Sequence, residues 1–346
     1  MADELQQTMT KYDSNSLKED VSSIIHNLDP DETPVLSNAG RRDVNNTLFE
    51  WQTENLPTSA STNARVEGAN ILGNGDNELD AGTATSRQSN YCQISFRNAS
   101  VSGTLDSLSQ YGKARELSHQ LALRSKQLKI DIEKTILSHN PAVVGTSTAY
   151  NNATARQTES LPHQIARFSS SIGGAVVKDS GTTLPTATQT TTAFTETSTS
   201  AGSLAVLSEA TAMGVAQAMW DNGATLDTVL VNGAMKREIS DFTGRSGTQV
   251  IVDPNKVTNN ITLVATDFGD VKVMMDRHMF SNNGVDVGFV DWDYVKIAFL
   301  RPFTRQHLAK QGDSTVENII CEWGIEMCNA QAFGWMFDQN KTYATS

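Results

Sequence analysis

Side chains that could perform chemistry occur along the chain, but their spacing does not form a familiar reactive group. Asp291 and Asp293 are separated by one residue, which would place two carboxylates on the same side of an extended chain, where they could bind a cation. Because aspartate is also a frequent turn residue, we interpret the pair as solvated carboxylates in a turn. None of the six histidines stands at metal-ligand spacing to another histidine, a cysteine or a carboxylate: they are His26, His119, His139, His163, His278 and His307. The sequence therefore predicts neither a metal site nor a cofactor.

Other short patterns associated with catalysis are incomplete. The glycine-rich stretches at 73–75 and 244–247 lack the lysine and the following helix of a phosphate-binding loop. No serine lies in a Gly-x-Ser-x-Gly turn, and no cysteine has the sequence surroundings of a known nucleophile. We therefore predict that the protein is not an enzyme.

The composition favours a large folded protein with long polar segments. The chain has 346 residues, of which 38% are apolar and 19% charged, enough for about two domains or for one domain with large extensions. A net charge of -12 disfavours tight binding to a nucleic-acid backbone. Cys92, Cys321 and Cys328 fit no zinc spacing and predict free buried thiols in a reducing cytoplasm. The polar start and the lack of a long apolar run predict neither a signal peptide nor a membrane span.

The first segments predict a polar arm and a small apolar anchor. Residues 1–20 are polar and have no hydrophobic period, so we expect a flexible arm. Residues 21–28 have apolar side chains at helical spacing and predict one or two turns of helix. The following residues 33–36 are short and mostly apolar, which favours a plug that docks on the body of the protein.

Residues 47–100 predict a projecting hairpin. Leu48, Phe49 and Trp51 are typical of a strand that leaves the core, and the alternation at 91–96 is typical of the strand that returns. Between them, residues 52–90 contain few apolar side chains. A long loop of this kind makes little sense inside a compact domain, and an isolated hairpin is only marginally stable in water. We therefore expect an arm that docks on another subunit.

Residues 105–139 give the clearest helical pattern. Asp106 or Ser107 can cap its start, and Asn140–Pro141 ends it. At 1.5 Å per residue the helix would be roughly 50 Å long, which suits a structural spine. Its apolar stripe recurs mainly at spacings of four and seven: Ala114, Leu117, Leu121, Leu128, Ile132 and Ile136.

The rest of the chain predicts a polar linker, an α/β unit and a strand-rich end. Residues 141–203 are low in complexity and in part very rich in threonine and serine, which favours a solvated linker or loop. Within 204–245 we predict a helix from Leu207 to Trp220, a buried strand at 228–231 and a second helix from Gly233. The aromatic segment 330–337 is expected to dock on the body. Further strands are predicted at 249–252, 260–265, 271–276, 285–290, 294–300 and 316–328.

The segment from Asp29 to Gly68 resembles the start of the SU-ten-like family of tailed-phage major head proteins. The order of elements along the chain is similar to the wider Hong Kong 97-like capsid fold, an α+β fold. The residues that carry the resemblance are Thr33-Pro34-Val35-Leu36, Gly40-Arg41, Asn46-Thr47, Phe49-Glu50-Trp51-Gln52 and Val66-Glu67-Gly68.

The resemblance implies a division of the chain. Residues 1–46 would be the N-terminal arm, residues 47–100 the extended β-hairpin loop that reaches over a neighbouring subunit, and residues 101–140 the peripheral domain with its spine helix. The remaining segments would be a Thr/Ser-rich insertion at 141–204, an axial domain at 205–285 and strands at 286–346 that return to the peripheral domain.

The resemblance also implies a function and partners. The protein would be a major capsid protein that assembles with itself into hexamers and pentamers and encloses double-stranded phage DNA without sequence-specific binding. Further partners would be a portal, with a scaffold or decoration protein as additional possibilities, and no membrane is involved. The protein would reside in the virion capsid after assembly in the host cytoplasm.

Six residues near the start of the hairpin are candidates for contacts between subunits. The charged ones could equally be ordinary surface charges, which contribute little to stability. At an interface, charge pairs would set register more than affinity. The six candidates are Arg41, Arg42, Glu50, Trp51, Arg65 and Glu67.

Three other functions remain open from the sequence. A bacterial nanocompartment shell of the same fold would differ by its loading with cargo enzymes. A secreted carbohydrate-binding β-protein would suit the abundance of Thr, Ser and Asn, but it predicts a signal peptide, which the sequence lacks. A carboxylate-dependent hydrolase would need a pair of acidic residues, and Asp291 with Asp293 is the single candidate pair.

Overall fold

A computed structural model describes most of the chain. The predicted helix at 21–28, the predicted strand at 249–252, the candidate contact residue Arg65 and most of the projecting hairpin lie outside the described residues. Within the described residues, no helix is both long enough and apolar enough to cross a bilayer. The described residues are 32–54, 56, 61, 64, 67–68, 85–110, 112–146, 154–169, 175–177, 182–183, 195–196, 206–242, 263–266, 268–279, 284–310 and 312–340.

These residues form helices and strands in mixed order. The helices are α1 (Pro34–Asn38), α2 (Gly103–Ser107), α3 (Glu116–Ile136), α4 (Leu161–Phe168), α5 (Glu209–Asp221) and α6 (Gly233–Ser240). The strands are β1 (Gly40–Asp43), β2 (Leu48–Thr53), β3 (Ser86–Tyr91), β4 (Gln93–Ser102), β5 (Ala175–Val177), β6 (Thr182–Thr183), β7 (Thr195–Glu196), β8 (Thr228–Val231), β9 (Leu263–Thr266), β10 (Gly269–Met275), β11 (Val285–Val290), β12 (Val295–His307), β13 (Ser314–Met327) and β14 (Phe333–Gln339).

A four-stranded sheet packs against the long helix α3. Its strand order is β1-β12-β13-β4, with β1 parallel to β12 and the other pairs antiparallel. The sheet contributes Ala99 and Val101 to a cluster with Leu117 and Leu121 of α3. The stripe predicted for this helix is confirmed from Leu117 to Ile136, because all five of its leucine and isoleucine members are buried. Burial of this stripe, rather than helix propensity alone, stabilises α3.

The spine helix is shorter than the sequence suggested. A break at 108–115 separates α2 from α3, so α3 has 21 residues and is about 32 Å long. The helix α2 ends before Leu108, whose backbone is extended, and Gly112 within the break has a φ of 73°, a left-handed conformation that a continuous α-helix does not contain. The cap of α2 is Ser102, which accepts a hydrogen bond from the Leu105 N–H, and not Asp106 or Ser107. Ala114 lies in the break and is exposed, so its place in the stripe was wrong.

A six-stranded sheet forms the second layer. Its order is β5-β14-β11-β8-β10-β9, and every residue of β8, β11 and β14 is buried. The predicted helix–strand–helix unit is confirmed by α5, β8 and α6, and the predicted strand at 285–290 has the observed bounds. Gly223 stops α5 with a φ of 87°. The aromatic end docks as β14, which lies in this six-stranded sheet and not in the sheet beside α3.

Part of the Thr/Ser-rich region is packed rather than solvated. All eight residues of α4 are buried, although three of them, His163, Gln164 and Arg167, are polar. The expectation of a solvated linker was wrong for residues 158–168, which are all buried, because their polar side chains form hydrogen bonds inside the protein, as described below. We call residues 154–169 the support segment. Most of 170–205 lies outside the described residues.

The Asp291–Asp293 pair adopts a turn, as predicted, but its environment differs from the prediction. Residues Trp292–Tyr294 form a single 3-10 turn, and Asp291 caps it by accepting a hydrogen bond from the Asp293 N–H at 3.1 Å. Asp291 is buried while Asp293 is exposed, and burial raises the pKa of Asp291. The two carboxylates therefore do not lie side by side on an extended strand, which removes the cation-binding geometry.

The apolar plug near the N-terminus is confirmed and is held by a buried acid. Val35 in α1 is fully buried. The backbone N–H groups of Val35 and Leu36 donate to the two carboxyl oxygens of Glu133 at 2.6 and 2.9 Å. Burial raises the pKa of Glu133 to about 8, aided by the nearby carboxyl of Asp276 and opposed by the two N–H groups. Glu133 thus joins α1 to α3 through a carboxyl group that holds its proton more tightly in the folded protein than in the unfolded chain.

We expect this carboxyl to make stability depend on pH. Its pKa is raised on folding, so its stabilising protonated form is complete below the unfolded pKa near 4.3 and is lost as pH rises through about 8. The wild-type protein should lose up to about 1.4 kcal/mol of unfolding free energy per pH unit across this window. The Glu133→Gln variant, whose side chain does not titrate, should give a flatter profile in urea unfolding from pH 5 to pH 9, although its single amide oxygen can satisfy only one of the two N–H groups. Parallel profiles for the two proteins would contradict this assignment.

Candidate functional site

The predicted hairpin begins as a two-stranded ribbon, formed by β2 and β3. Its register runs from Leu48 opposite Tyr91 to Thr53 opposite Ser86. The predicted entering strand is confirmed, and the returning strand is divided into β3 and the longer β4. Residues 55–84, which connect the two strands of the ribbon, lie outside the described residues except at a few positions. Two strands alone are marginally stable, so the ribbon depends on what lies beneath it.

The root of the ribbon packs closely on the four-stranded sheet. Phe49 and Trp51 are buried and stack on each other with ring centroids 5.9 Å apart. Beneath them is Gly324 of β13, where an added Cβ would lie 2.6 Å from the Phe49 ring and 3.0 Å from the Tyr91 carbonyl oxygen. The absence of a side chain at Gly324 therefore allows the ribbon to approach the sheet.

A single methyl group should disturb this contact. We expect Gly324→Ala to lower the unfolding free energy by about 1–3 kcal/mol, the usual cost of overpacking, because β2 must move away from β13. Gly214→Ala is the matched control: Gly214 lies in α5 with nothing within 4 Å of an added Cβ, so helix propensity should leave stability unchanged or raised. Urea unfolding measures both, and equal effects at the two positions would contradict the close-packing argument.

The six candidate contact residues divide into two groups. Trp51 is buried at the ribbon root, and Arg42 forms an ion pair with Glu326, so each of these two has a contact within its own subunit. Arg41, Glu50 and Glu67 are exposed. Glu50 pairs with Arg87 across the ribbon at 3.6 Å, and Arg65 lies outside the described residues.

Three buried glutamates on β13 were not anticipated from the sequence. Glu317, Glu322 and Glu326 are each less than 10% exposed, and each pairs with at least one arginine from a neighbouring segment. Their partners are Arg305 for Glu317, Arg156 and Arg301 for Glu322, and Arg42 for Glu326. The sequence did contain a signal for them, because the three glutamates lie five and four residues apart within the strand predicted at 316–328. A carboxylate that is buried in a strand needs a paired cation, so these positions predict nearby arginine or lysine side chains.

The support segment contains a second buried ionic group. Glu159 has no exposed surface and accepts two hydrogen bonds from Arg167, both at 2.7 Å. The His163 ring lies 2.6 Å from the same carboxylate. An arginine–carboxylate pair with two parallel hydrogen bonds is directional as well as strong. It therefore holds Glu159, just before α4, close to the last turn of the same helix.

The outer face of the four-stranded sheet presents apolar side chains. Ile94 and Phe96 of β4 are 46% and 55% exposed, on the opposite face of the strand from the residues that contact α3. On β12, every residue of 301–307 is exposed, including Phe303. A surface with exposed aromatic and arginine side chains is typical of a protein–protein contact.

The chemistry available at the buried thiols is limited. Burial raises the pKa of Cys92 to about 11 and that of Cys321 to about 12, so both remain protonated near neutral pH. Within the described ranges, no three His, Cys, Asp or Glu side chains are grouped so that they could hold a metal ion. The features that the structure brings together are therefore surfaces and packing contacts.

Comparisons with known proteins agree with this picture. A family model described as SU10 major capsid protein matches residues 5–340. The major capsid protein of Escherichia phage Phieco32 is 26% identical over 348 residues, which cover 94% of this chain and 95% of that protein.

Solved structures share the fold at low sequence identity. One from Microbacterium phage Oxtober96 has a TM-score of 0.58 at 11% identity and covers 94% of this chain and 97% of its own. The capsid of a native GTA particle has a TM-score of 0.56 at 11% identity, with 94% and 96% covered. The holo-SrpI encapsulin complex from Synechococcus elongatus PCC 7942 has a TM-score of 0.57 at 10% identity, with 98% and 99% covered.

The predicted α+β, Hong Kong 97-like fold is confirmed by these structures. The resemblance first seen in Asp29–Gly68 extends over nearly all of the chain, because the family model leaves out only a few residues at each end. The chain belongs to the SU10 major capsid protein family.

Proposed function

We propose that this protein is a phage coat subunit whose copies assemble into hexamers and pentamers and close into an icosahedral shell around double-stranded DNA. The observation that carries the proposal is the match to a phage major capsid protein along 94% of this chain and 95% of the relative. The predicted hairpin supports it, since a polar hairpin that extends beyond the ribbon would be only marginally stable until the surface of another copy covers it.

The two sheets support a division into two domains. In our proposal, α3 and the four-stranded sheet form the peripheral domain, and α5, α6 and the six-stranded sheet form the axial domain at the centres of hexamers and pentamers. The strands β11 and β14 then belong to the axial domain, because both lie beside β8 in the six-stranded sheet. Residues 1–46 would remain the arm, and residues 47–100 the extended loop.

We propose that the loop contacts a neighbouring copy and that its root is held by its own subunit. Arg41, Glu50 and Glu67 are exposed and free to face another copy, and we retain Arg65 in the same group. Trp51 and Arg42 instead hold the base of the loop in place. Charged contacts along the loop would set its register on the neighbour more than its affinity.

Further partners follow from the same proposal. A net charge of -12 would let enclosed DNA pack with little direct binding to the shell. A portal, and a scaffold or decoration protein, would complete the head. Assembly would take place in the host cytoplasm before the protein resides in the virion.

A nanocompartment shell is the second candidate, because the encapsulin structure has a TM-score of 0.57. At 10% identity this likeness speaks for the fold alone. Mass spectrometry of particles purified from the native source distinguishes the two functions, since a nanocompartment would contain a stoichiometric enzyme and a phage head would contain portal protein and DNA.

The experiment that tests the proposed function is sedimentation velocity of the purified chain, followed by negative-stain microscopy of the fast fraction. We expect closed particles or rings of capsomers, whose population rises with protein concentration because assembly follows mass action. A single slow species across the full concentration range, with no rings or shells, would contradict self-assembly.

A further inference from the structure

Asn90, on the returning strand of the ribbon, joins three separate parts of the subunit. Its side chain has no exposed surface. The Nδ2 group donates toward the Ile325 carbonyl oxygen at 2.7 Å, the Thr158 hydroxyl at 3.1 Å and the Glu159 carbonyl oxygen at 3.2 Å. One amide therefore connects β3 with both the support segment and β13.

The Oδ1 atom of Asn90 is also fully used. It accepts from the Glu159 N–H at 2.8 Å and from the N–H of its neighbour Tyr91 at 2.7 Å. Asn90 thus bonds both the N–H and the carbonyl of Glu159, a two-point contact that fixes orientation as well as distance. Each of these groups is buried, so losing the partner would leave donors and acceptors unsatisfied.

The support segment is itself held rigidly where Asn90 contacts it. The Thr158 hydroxyl accepts a hydrogen bond from the Ile325 N–H at 3.3 Å. The Gln164 side chain donates to the carbonyl oxygens of Glu159 and Ile325 at 3.1 and 3.2 Å. Beneath them the Glu159 carboxylate is fixed by Arg167. Asn90 therefore bonds to a preorganised surface rather than to a loop.

Apolar packing alone would not fix the direction in which the ribbon leaves the body. Phe49 and Trp51 bury area against the sheet, but burial of apolar surface has little directional preference. The hydrogen bonds of Asn90 do have a directional preference, and Asn90 is the last buried residue of β3. The angle of the ribbon should therefore follow the position of the support segment.

We propose that Asn90 is a positioning residue that sets the exit angle of the ribbon by locking β3 to residues 157–164 of the support segment. This inference rests on the proposed function, because the angle matters for assembly only if the loop contacts a neighbouring copy. It gives a role to an ordered part of the Thr/Ser-rich region. In a shell, a changed angle would be repeated in every subunit and would alter curvature or prevent closure.

Two variants test the proposal from opposite sides of the contact. Asn90→Ala removes the amide from the ribbon, and Thr158→Val removes the hydroxyl acceptor from the support segment at nearly constant volume. Gln88→Ala is the matched control: Gln88 lies on the same strand, is similarly buried, and its described hydrogen bond goes to Ser86 within β3. Thr158→Val keeps the test decisive if Asn90→Ala fails to fold.

The first readout is hydrogen exchange on unassembled subunits. We expect exchange across 86–91 to rise on the order of tenfold in Asn90→Ala, and by a smaller factor in Thr158→Val, with no change across 128–136 of α3. The Gln88→Ala control should exchange like the wild type in both regions. This readout does not require assembly, so it remains valid even if the proposed function fails.

The second readout is the particle population seen by negative-stain microscopy. We expect both variants to give fewer closed particles and a broader range of diameters than Gln88→Ala at equal concentration. If ribbon exchange and particle diameters in both variants match those of the control, the proposal is overturned. It is also overturned if stability falls while the ribbon exchange and the diameters stay unchanged, because Asn90 would then be only a structural residue.

Discussion

Replacing residues 54–85 with an Asn-Gly turn is expected to leave a folded subunit that forms no closed particles. The ribbon pairs Thr53 with Ser86, so a two-residue turn of this type can join the strands without disturbing the register beneath it. Phe49, Trp51 and Asn90 all remain in place, and they supply the buried contacts of the ribbon. The change therefore removes the segment that the sequence predicts to project and nothing from the described core.

The expected loss of closed particles is large because a shell contains the same weak contact in every copy. Every copy would lose the same contact with its neighbour, and a closed symmetric assembly requires all of them together. Circular dichroism and thermal unfolding should show a subunit close to the wild type, while negative-stain microscopy should show no shells. Normal shells from the shortened chain would contradict the role of the loop.

A second shortened chain tests whether removing any polar segment, rather than the 54–85 loop in particular, prevents assembly. Residues 184–194 connect β6 and β7 within the Thr/Ser-rich region, which we predict to be solvated. Their replacement by an Asn-Gly turn should leave shell assembly intact. Loss of shells in both shortened chains would show that the effect is not specific to the 54–85 loop.

Replacing Arg167 with methionine is expected to destabilise the subunit by about 3–5 kcal/mol. The change removes both hydrogen bonds from Arg167 to Glu159 and leaves a carboxylate with no exposed surface beside His163 alone. A buried charge that loses its partner is among the most damaging changes in a protein interior. Urea unfolding of unassembled subunits measures the difference.

The double variant and an exposed pair provide the controls. Adding Glu159→Gln to Arg167→Met should restore part of the loss, because the unpaired charge is then removed. Arg87→Met breaks the pair with Glu50, in which both side chains are exposed, by 67% and 42%, and should change stability little. A double variant that is less stable than Arg167→Met, or an equal loss in Arg87→Met, would contradict the buried-charge explanation.

The sequence predicted those helices and strands whose apolar residues recur with a regular spacing. The stripe on α3 and the buried strand β11 were both predicted, since burial imposes a spacing that can be recognised without a structure. The break before α3 was missed, because the extended backbone of Leu108 and the left-handed backbone of Gly112 interrupt the helix without a gap in the apolar pattern. The pairing of β14 with β11 joins strands far apart in the chain, which local patterns do not encode.

Buried polar groups explain the largest error of the sequence-based prediction, which was the solvated linker. Residues 154–169 look solvated in the sequence because Glu159, His163 and Arg167 are polar, yet each of them is buried and paired. The same limit applies to the candidate contact residues. A sequence shows that Arg42 is charged but not whether its partner lies in the same chain, and the structure places that partner at Glu326.

The most direct test of the account is a cryo-electron microscopy reconstruction of the assembled particle. We predict a closed shell in which residues 55–84 of each copy lie against the four-stranded sheet or the spine helix of an adjacent copy. A shell in which this loop folds back on its own subunit, or particles without closed symmetry, would contradict the account.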